Sequence, residues 1–201
     1  MVEQQRPGGR TNQKERTRSA IVAAAHALAE TGAEVTMPAI AAAARVSEAT
    51  AYRYFPDLVS LLRVTVSAAD LVDAMAPVAH TRDPVERIGH ATEVLARAVL
   101  RRQGAVRAMI AGTITKPEEP LKRPAIRLGL IEHALNPWIT DNPARRDEVE
   151  QLVRDLAVVV SAESLFTLTD LCRLSPDEAV ASLVHTARSV TAEGIRGRDG
   201  P

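Results

Sequence analysis

Residues 36–55 read TMPAIAAAARVSEATAYRYF, and this stretch predicts two short helices joined by a tight turn near Arg45. Thr36 and Ser47 stand where each helix would begin, and hydroxyl side chains there accept hydrogen bonds from the first free backbone N–H groups. Ile40 and the alanines after it are spaced for one inner helix face, and their small size lets the second helix approach closely. The stretch therefore predicts a compact helix-turn-helix.

The second helix of this unit has an outward face that suits the major groove of double-stranded DNA. Ala51 and Phe55 are four residues apart and face inward, which leaves Glu48, Ala49, Tyr52 and Arg53 facing outward. An arginine can donate two hydrogen bonds to a guanine, and small residues let the helix backbone approach the base edges. The hydroxyls that can bind phosphates are those of Thr36, Ser47, Thr50, Tyr52 and Tyr54. From these residues alone, a generic helical hairpin in which they merely pack is an equal alternative.

The remainder of the chain predicts further helices and an all-α fold. Of its 201 residues, 46% are hydrophobic and only 2% aromatic, with many strong helix formers. Residues 83–86 and 175–178 each place a cap, a proline and a glutamate in the order that starts a helix. We expect Asn12 to cap the first helix, Asn142 to cap a long helix over 144–171, and residues 116–124 to form a loop. About nine helices are predicted.

Charge and cysteine content limit the classes of protein. The formal net charge is zero, but residues 1–18 hold five basic residues against two acidic ones, so a local basic patch near the N-terminus is possible. Charge alone is equally consistent with a solvated tail. Cys172 is the only cysteine, which excludes an intramolecular disulfide and fits a reducing compartment. No apolar run long enough to span a membrane occurs, so we expect a cytoplasmic protein without membrane partners.

Catalytic and metal-binding patterns are missing from the sequence. None of the five histidines is paired with another at helical spacing, and no histidine–carboxylate cluster has ligand spacing. No glycine-rich loop follows a strand, and Cys172 follows an apolar helix face as a packing residue does. We therefore expect no enzyme activity, no metal and no cofactor.

The run from Ile40 through Val46 and Pro56 to Leu61-Leu62 closely resembles the helix-turn-helix of TetR-family transcriptional repressors. The resemblance covers residues 12–63 and implies that Thr36 caps the second helix and touches phosphate. It further implies backbone contacts by Thr50, Tyr52 and Tyr54 and base contacts by Glu48, Ala49 and Arg53. Lys14 and Arg18 are expected to meet phosphates from the N-terminal side.

Two residues depart from the pattern of that family. Arg45 stands where the turn usually has a glycine, which predicts a left-handed backbone or a different turn. Leu58 stands where a phosphate-binding lysine is common, so the contact to the DNA backbone must depend on other groups, such as Arg63 or the basic N-terminal residues.

The C-terminal part is expected to form a dimer. The predicted helix over 144–171 is apolar around most of its circumference, so it needs two burial surfaces, and the last helix repeats an apolar stripe. A second copy of the same two helices, packed as a four-helix bundle, supplies the second surface, as it does in TetR-family proteins. Interface residues are predicted to be Val158, Leu165, Leu168, Leu183, Val184 and Val190. Purely intramolecular packing is the alternative.

The resemblance also implies a small-molecule effector held by the helices between 85 and 138. Residues that could hold it are Met75, His90, Arg107, Met109, Thr113, His133 and Trp138. The predicted organisation is a DNA-binding domain over 12–63, an effector-binding and dimerisation domain over 64–194, and flexible tails at 1–11 and 195–201. The predicted function is a repressor released from an inverted-repeat operator by this unidentified effector. A DNA-binding activator, an effector-independent repressor and, more distantly, a helical enzyme or protein-interaction module are the alternatives.

Overall fold

The computed structural model describes residues 8–32, 34–65, 68–115 and 125–196, and within these ranges it contains helices and no strand, which confirms the all-α prediction. None of the helices in these ranges is both long enough and apolar enough to cross a membrane. The chain divides into two compact units. The first comprises Met1–Val66 and Arg101–Arg123, and the second comprises Ser67–Leu100 and Pro124–Pro201.

The first unit is built from five helices around one apolar core. These are α1 (Gly8–Ala29), α2 (Met37–Ala43), α3 (Glu48–Tyr54), α4 (Leu58–Thr65) and α7 (Gln103–Thr115). Its buried centre includes Ile21, Ala25, Ile40, Ala41, Ala51, Leu61 and Leu62. The expected cap at Asn12 is wrong, because α1 already begins at Gly8, which also removes residues 8–11 from the predicted tail.

Helix α7 packs against both α1 and α4 within this unit. Ala105 is buried in the core and Met109 packs beside it. A Cβ atom at Gly112 would lie 2.5 Å from Val59 Cγ2, so only glycine lets α7 come this close to α4. Arg102, just before α7, pairs with Glu30 just after α1. The predicted division near residue 63 assigns α7 to the C-terminal part, whereas its packing places it in the first unit.

The second unit contains the remaining helices. These are α5 (Ala68–Asp73), a 3-10 turn (Ala76–Val78), α6 (Pro84–Arg101), α8 (Ile126–Asp141), α9 (Arg146–Val159), α10 (Ala162–Phe166), a π-helical segment (Thr167–Leu171) and α11 (Pro176–Arg196). Two predicted caps are confirmed. Asp83 Oδ1 accepts from Val85 N at 2.9 Å, and Ser175 and Glu178 form a reciprocal capping box, in which Ser175 N donates to Glu178 Oε2 at 2.9 Å.

The predicted helix over 144–171 begins later than expected and is interrupted, although its last helical residue is Leu171 as predicted. Asn142 does not start it, because its Nδ2 donates to Trp138 O at 2.8 Å at the end of α8, and α9 begins at Arg146. The helix then stops at Val159. Ser161 is extended, and its Oγ accepts from Ser164 N at 3.0 Å, which starts α10 as a separate helix. The described ranges contain eleven α-helices, whereas the sequence predicts about nine helices. Residues 116–124, predicted as a loop, lie outside the described residues.

A buried arginine joins three segments of the second unit. Arg87 is 5% exposed. Its Nε donates to Ala134 O at 2.8 Å, Nη1 to Val78 O at 2.8 Å, and Nη2 to His133 O at 3.1 Å. Pro137 lies inside α8 and has no N–H for the carbonyl of His133, four residues earlier, so the guanidinium replaces that missing donor. Burial lowers the pKa of the Arg87 guanidinium from its ordinary value.

Candidate nucleic-acid interface

The turn between α2 and α3 ends the first helix with a left-handed residue. Arg45 has φ 55°, so the expectation of a left-handed backbone at this non-glycine position is confirmed. Val46 N donates to Ala41 O at 3.0 Å, and Arg45 N donates to Ala42 O at 3.1 Å. This pair of hydrogen bonds is the Schellman arrangement, which satisfies the last carbonyls of a helix and reverses the chain. The turn therefore fixes the direction in which α3 leaves α2.

Both helices of the unit are capped as the sequence predicts. Thr36 Oγ1 accepts from Ala39 N at 3.3 Å at the start of α2. Ser47 Oγ accepts from Thr50 N at 3.2 Å and lies 2.9 Å from Thr50 Oγ1 at the start of α3. Each cap stabilises its helix by about 1 kcal/mol. The two hydroxyls of Ser47 and Thr50 are thus held together, at the end of α3 where free N–H groups favour a phosphate.

Helix α3 has one buried face and one exposed face. Ala51 is fully buried and Phe55 is 5% exposed, which anchors the helix to the first core. Glu48, Ala49 and Arg53 are exposed, and Tyr52 is 46% exposed. Tyr54 is half-buried and packs against the core. The structure therefore brings the predicted base-contacting residues onto one accessible face, with Tyr54 at its edge.

Basic residues of α1 lie beside the end of α3. The guanidinium of Arg18 lies over the ring of Phe55, 5.3 Å from its centroid, and remains exposed. Lys14 is exposed one helical turn earlier on the same face of α1. The guanidinium of Arg53 lies 5.7 Å from the centroid of the Tyr54 ring. Two cations from α1 and one from α3 are thus available around the same end of the helix-turn-helix.

Position 58 contributes no cation to this surface. Leu58 is half-buried against the first core, and the start of α4 is capped by Asp57, whose Oδ1 accepts from Ser60 N at 2.7 Å. Arg63 is exposed in the last turn of α4. Of the replacements expected for the missing lysine, Arg18 of α1 is the one held by a contact at the end of α3, through the ring of Phe55.

The predicted effector residues fall in both units. In the second unit, Met75 is 2% exposed in the core, and His90 Nε2 lies 2.8 Å from the carbonyl oxygen of Ala74, the residue before Met75. His133 is exposed, and Trp138 lies under the guanidinium of Arg145, 5.2 Å from the ring centroid.

The other three candidates belong to α7 in the first unit. Met109 faces the first core, Arg107 is exposed, and Thr113 Oγ1 donates to Ile110 O at 2.8 Å. The side chain of Met109 is therefore occupied in packing beneath the helix-turn-helix, a placement that the sequence does not predict.

Two of the predicted dimer residues are buried within a single chain. Leu165 is fully buried and Leu183 is 4% exposed, so both side chains already pack inside one protomer. Val190 is half-buried against the second core. Val158 is 73% exposed at the end of α9, and Leu168 and Val184 are half-buried. Leu171, which the prediction did not include in the interface, is 77% exposed.

Sequence reasoning missed two residues that hold the functional elements in place. Gly112 sets the close approach of α7 to α4, and Arg87 satisfies carbonyls around Pro137. A glycine within an apolar helical stretch and a proline within a helix are visible signals. Their partners, however, are distant in the sequence, and a single sequence does not identify them.

Comparisons with known proteins agree with this geometry. Residues 20–63 match the family model described as bacterial regulatory proteins, tetR family. The sequence matches none of the curated proteins. The fold is similar to that of a TetR transcriptional regulator from Rhodococcus sp. RHA1, with a TM-score of 0.57, 21% identity, and coverage of 89% of this chain and 97% of that one. A tetR-family transcriptional regulator from Streptomyces coelicolor gives a TM-score of 0.53 and 20% identity, with coverage of 93% and 92%. Residues 20–63 therefore match the tetR-family model, and the fold of the chain is similar to that of these two regulators.

Proposed function

We propose that this protein is a homodimeric transcriptional repressor that binds an inverted-repeat operator and is released from it by a small-molecule effector. The observation that carries the DNA-binding part is the exposed face of α3. It presents Glu48, Ala49, Tyr52 and Arg53 on a helix that is capped at its start and anchored by Ala51 and Phe55. A rigid helix with small and hydrogen-bonding residues outward fits a major groove.

Two groups of contacts have different roles in this proposal. Glu48, Ala49 and Arg53 meet base edges and give sequence preference. Phosphate contacts by the hydroxyls at α2 and α3 and by Lys14 and Arg18 fix the register of the helix. The contacts made by Lys14 and Arg18 also release counterions, because these side chains are charged. The hydroxyl groups proposed to contact phosphates are those of Thr36, Ser47, Thr50, Tyr52 and Tyr54.

Binding of the purified chain to its own upstream DNA, measured by fluorescence anisotropy over a range of salt concentrations, tests this part. Arg53→Ala should weaken cognate binding by about 1–3 kcal/mol with little effect on random DNA. Tyr52→Phe should weaken binding to both. Combined neutralisation of Lys14 and Arg18 should lower the slope of log affinity against log salt by about 0.9 per lost contact.

Three results would contradict this assignment. Equal losses on cognate and random DNA would make Arg53 a phosphate contact. Full DNA affinity in both the Arg53 and Tyr52 variants would show that α3 does not contact DNA. Wild-type binding without any sequence preference would remove the regulator proposal itself.

The dimer is supported by apolar surface at the ends of the last helices. Val158 and Leu171 are each more than 70% exposed. Leu168 and Val184, which belong to the same part of the chain from α9 to α11, are half-buried. Contiguous exposed apolar patches mark association sites, so the proposal requires these side chains to form one surface. A two-fold interface would bury each of them twice.

Light scattering and DNA binding test the interface. Val158→Arg would bury an unpaired guanidinium twice per dimer, so this variant should be a folded monomer that binds a two-half-site operator far more weakly. Val72→Arg, at a valine 37% exposed on α5, is the matched control and should remain dimeric. Leu183→Arg should unfold the chain instead, because that leucine is buried within one protomer. A dimeric Val158→Arg protein would place the interface elsewhere.

Effector release is proposed to depend on His90, one of the expected effector residues. His90 is half-buried and its Nε2 lies 2.8 Å from Ala74 O, so a small ligand would displace this contact or bind through the other ring nitrogen. Release would follow if the ligand favours a conformer whose recognition helices no longer fit successive major grooves. Compounds that displace a fluorescent operator from the wild type, but not from His90→Ala, would support this site, and a compound that displaces both equally would exclude it.

The sign of regulation is tested with a reporter. A promoter carrying the operator should be silenced by the protein and restored by the effector. Increased expression in the presence of the protein would identify an activator, and silencing that no compound relieves would identify an effector-independent repressor.

A further inference from the structure

Glu48 and Arg53 are two charged groups of opposite sign on the exposed face of α3, and neither is neutralised. Both are exposed, and in the part of the chain that the structure describes neither forms an ion pair. Opposite charges one helical turn apart attract each other, but within α3 the positions one turn from these two residues hold Ala49, Thr50, Ala51 and Tyr52, none of which is charged. Both charges are therefore available to a ligand of this face, which under the proposed function is the major groove.

A carboxylate in the major groove selects one base. It only accepts hydrogen bonds, and most base atoms exposed there, such as guanine N7 and O6 and thymine O4, are also acceptors that repel it. Cytosine N4 is a donor without a neighbouring acceptor on the same base, whereas adenine N6 lies next to the acceptor N7. Glu48 is the first residue of α3, at the end of a recognition helix that enters the groove. It is therefore suited to cytosine and unfavourable over the other three bases.

Arg53 has the complementary preference. Its guanidinium has only donors, and a guanine presents two acceptors, N7 and O6, at the spacing of its fork. The ring of Tyr54 lies under the guanidinium, 5.7 Å from centroid to Cζ, which limits the orientations of the side chain. A restrained guanidinium loses less entropy when it binds a base edge than a freely rotating one.

Glu48 and Arg53 are both exposed and lie near opposite ends of α3. Glu48 is the first residue of this helix and Arg53 is the sixth, so the two side chains can meet different base pairs. Resting on the proposed function, we infer that each operator half-site contains two G·C pairs, one contacted through cytosine N4 by Glu48 and the other through guanine N7 and O6 by Arg53.

Selection of bound duplexes from a randomised pool by the full-length chain, followed by modified bases in the selected site, tests this inference. Replacing the first cytosine with N4-methylcytosine removes the donor offered to Glu48, and replacing the guanine with 7-deazaguanine removes an acceptor of Arg53. Each should weaken wild-type binding by roughly 5- to 150-fold. A selected site without G·C preference at two such positions, or one that tolerates both modified bases, would overturn the inference while leaving sequence-specific binding intact.

Replacing the carboxylate of Glu48 with an amide tests the inference through a change in base preference. Glu48→Gln should lose its preference for cytosine and gain one for adenine at the same position, because an amide both donates to N7 and accepts from N6. Glu132→Gln, at an exposed glutamate of α8, is the matched control and should keep the wild-type site. An unchanged base preference in Glu48→Gln would show that this carboxylate does not read DNA. Absence of any selected site for the wild type would refute the regulator proposal and this inference together.

Discussion

Replacing Arg87 with methionine should strongly destabilise the second unit. Methionine keeps an apolar stem but removes a guanidinium that donates to Ala134 O and Val78 O at 2.8 Å and to His133 O at 3.1 Å. Hydrogen bonds from a charged group are each worth about 1.5–3 kcal/mol, and relief of the buried charge offsets part of their sum. We expect Arg87→Met to lower the free energy of unfolding by about 2–4 kcal/mol.

A second substitution separates this role of Arg87 from simple loss of packing. Pro137→Ala restores a backbone N–H that can bond to His133 O, so the carbonyl no longer depends on the guanidinium. Arg87→Met should therefore cost less in the Pro137→Ala background, by about 0.5–1.5 kcal/mol. Urea unfolding at one protein concentration, followed by circular dichroism and by the fluorescence of Trp138, measures all four proteins.

A nearby exposed arginine provides the control. Arg82 pairs with Asp141 at 2.6 Å on the surface, with its side chain 64% exposed, so Arg82→Met should change the free energy of unfolding far less. The reasoning fails if Arg87→Met costs no more than Arg82→Met. It also fails if the cost of Arg87→Met is the same with and without Pro137.

Three further predictions concern the turn, the helix crossing and a cap. Arg45→Gly should raise the free energy of unfolding by roughly 1 kcal/mol, because a side chain is disfavoured at φ 55°. Arg45→Ala should not raise it, and a glycine variant that is less stable than the wild type in urea unfolding would contradict this reasoning. Gly112→Val should lower the free energy of unfolding by about 1–3 kcal/mol through overlap with Val59, and adding Val59→Ala should recover part of this loss. If the losses of the two single variants simply add in the double variant, the close contact between α7 and α4 at Gly112 is not their cause. Hydrogen bonds from Ser175 lower the pKa of Glu178, so its contribution to stability is complete above the ordinary carboxyl pKa and disappears as the pH falls through the lowered one. Glu178→Gln should therefore reduce the Tm at neutral pH but not in acid, and a deficit that persists in acid would exclude the charge as its cause.

Local interactions account for most of what the sequence predicts correctly. The Ser47 cap, the left-handed residue at Arg45 and the capping box of Ser175 and Glu178 all depend on residues within four positions of each other. The recognition face of α3 follows from the same short-range periodicity, since Ala51 and Phe55 define its buried side. These features require no knowledge of the tertiary fold.

The failures arise where local signals compete or distant contacts decide. Asn142 can cap the start of one helix or the end of another, and its amide bonds to Trp138 O at the end of α8. Ser161 has the local bonds of a cap in the middle of a predicted helix, where hydroxyl side chains compete with the backbone ladder. The burial of Leu165 and Leu183 depends on packing between helices, so an apolar stripe alone does not separate core from interface.

The composition of the first unit affects how its helix-turn-helix can be moved into another protein. Its core takes Ala105 and Met109 from α7, and Gly112 fits against Val59 of α4. A chimera that joins residues 1–66 to a foreign domain would expose the surface that α7 covers and would have to supply a helix with a glycine at the matching crossing. Transfer of the proposed DNA-binding activity therefore requires two segments, Met1–Val66 and Arg101–Arg123, whereas exchange of the α3 surface residues alone leaves that shared core intact.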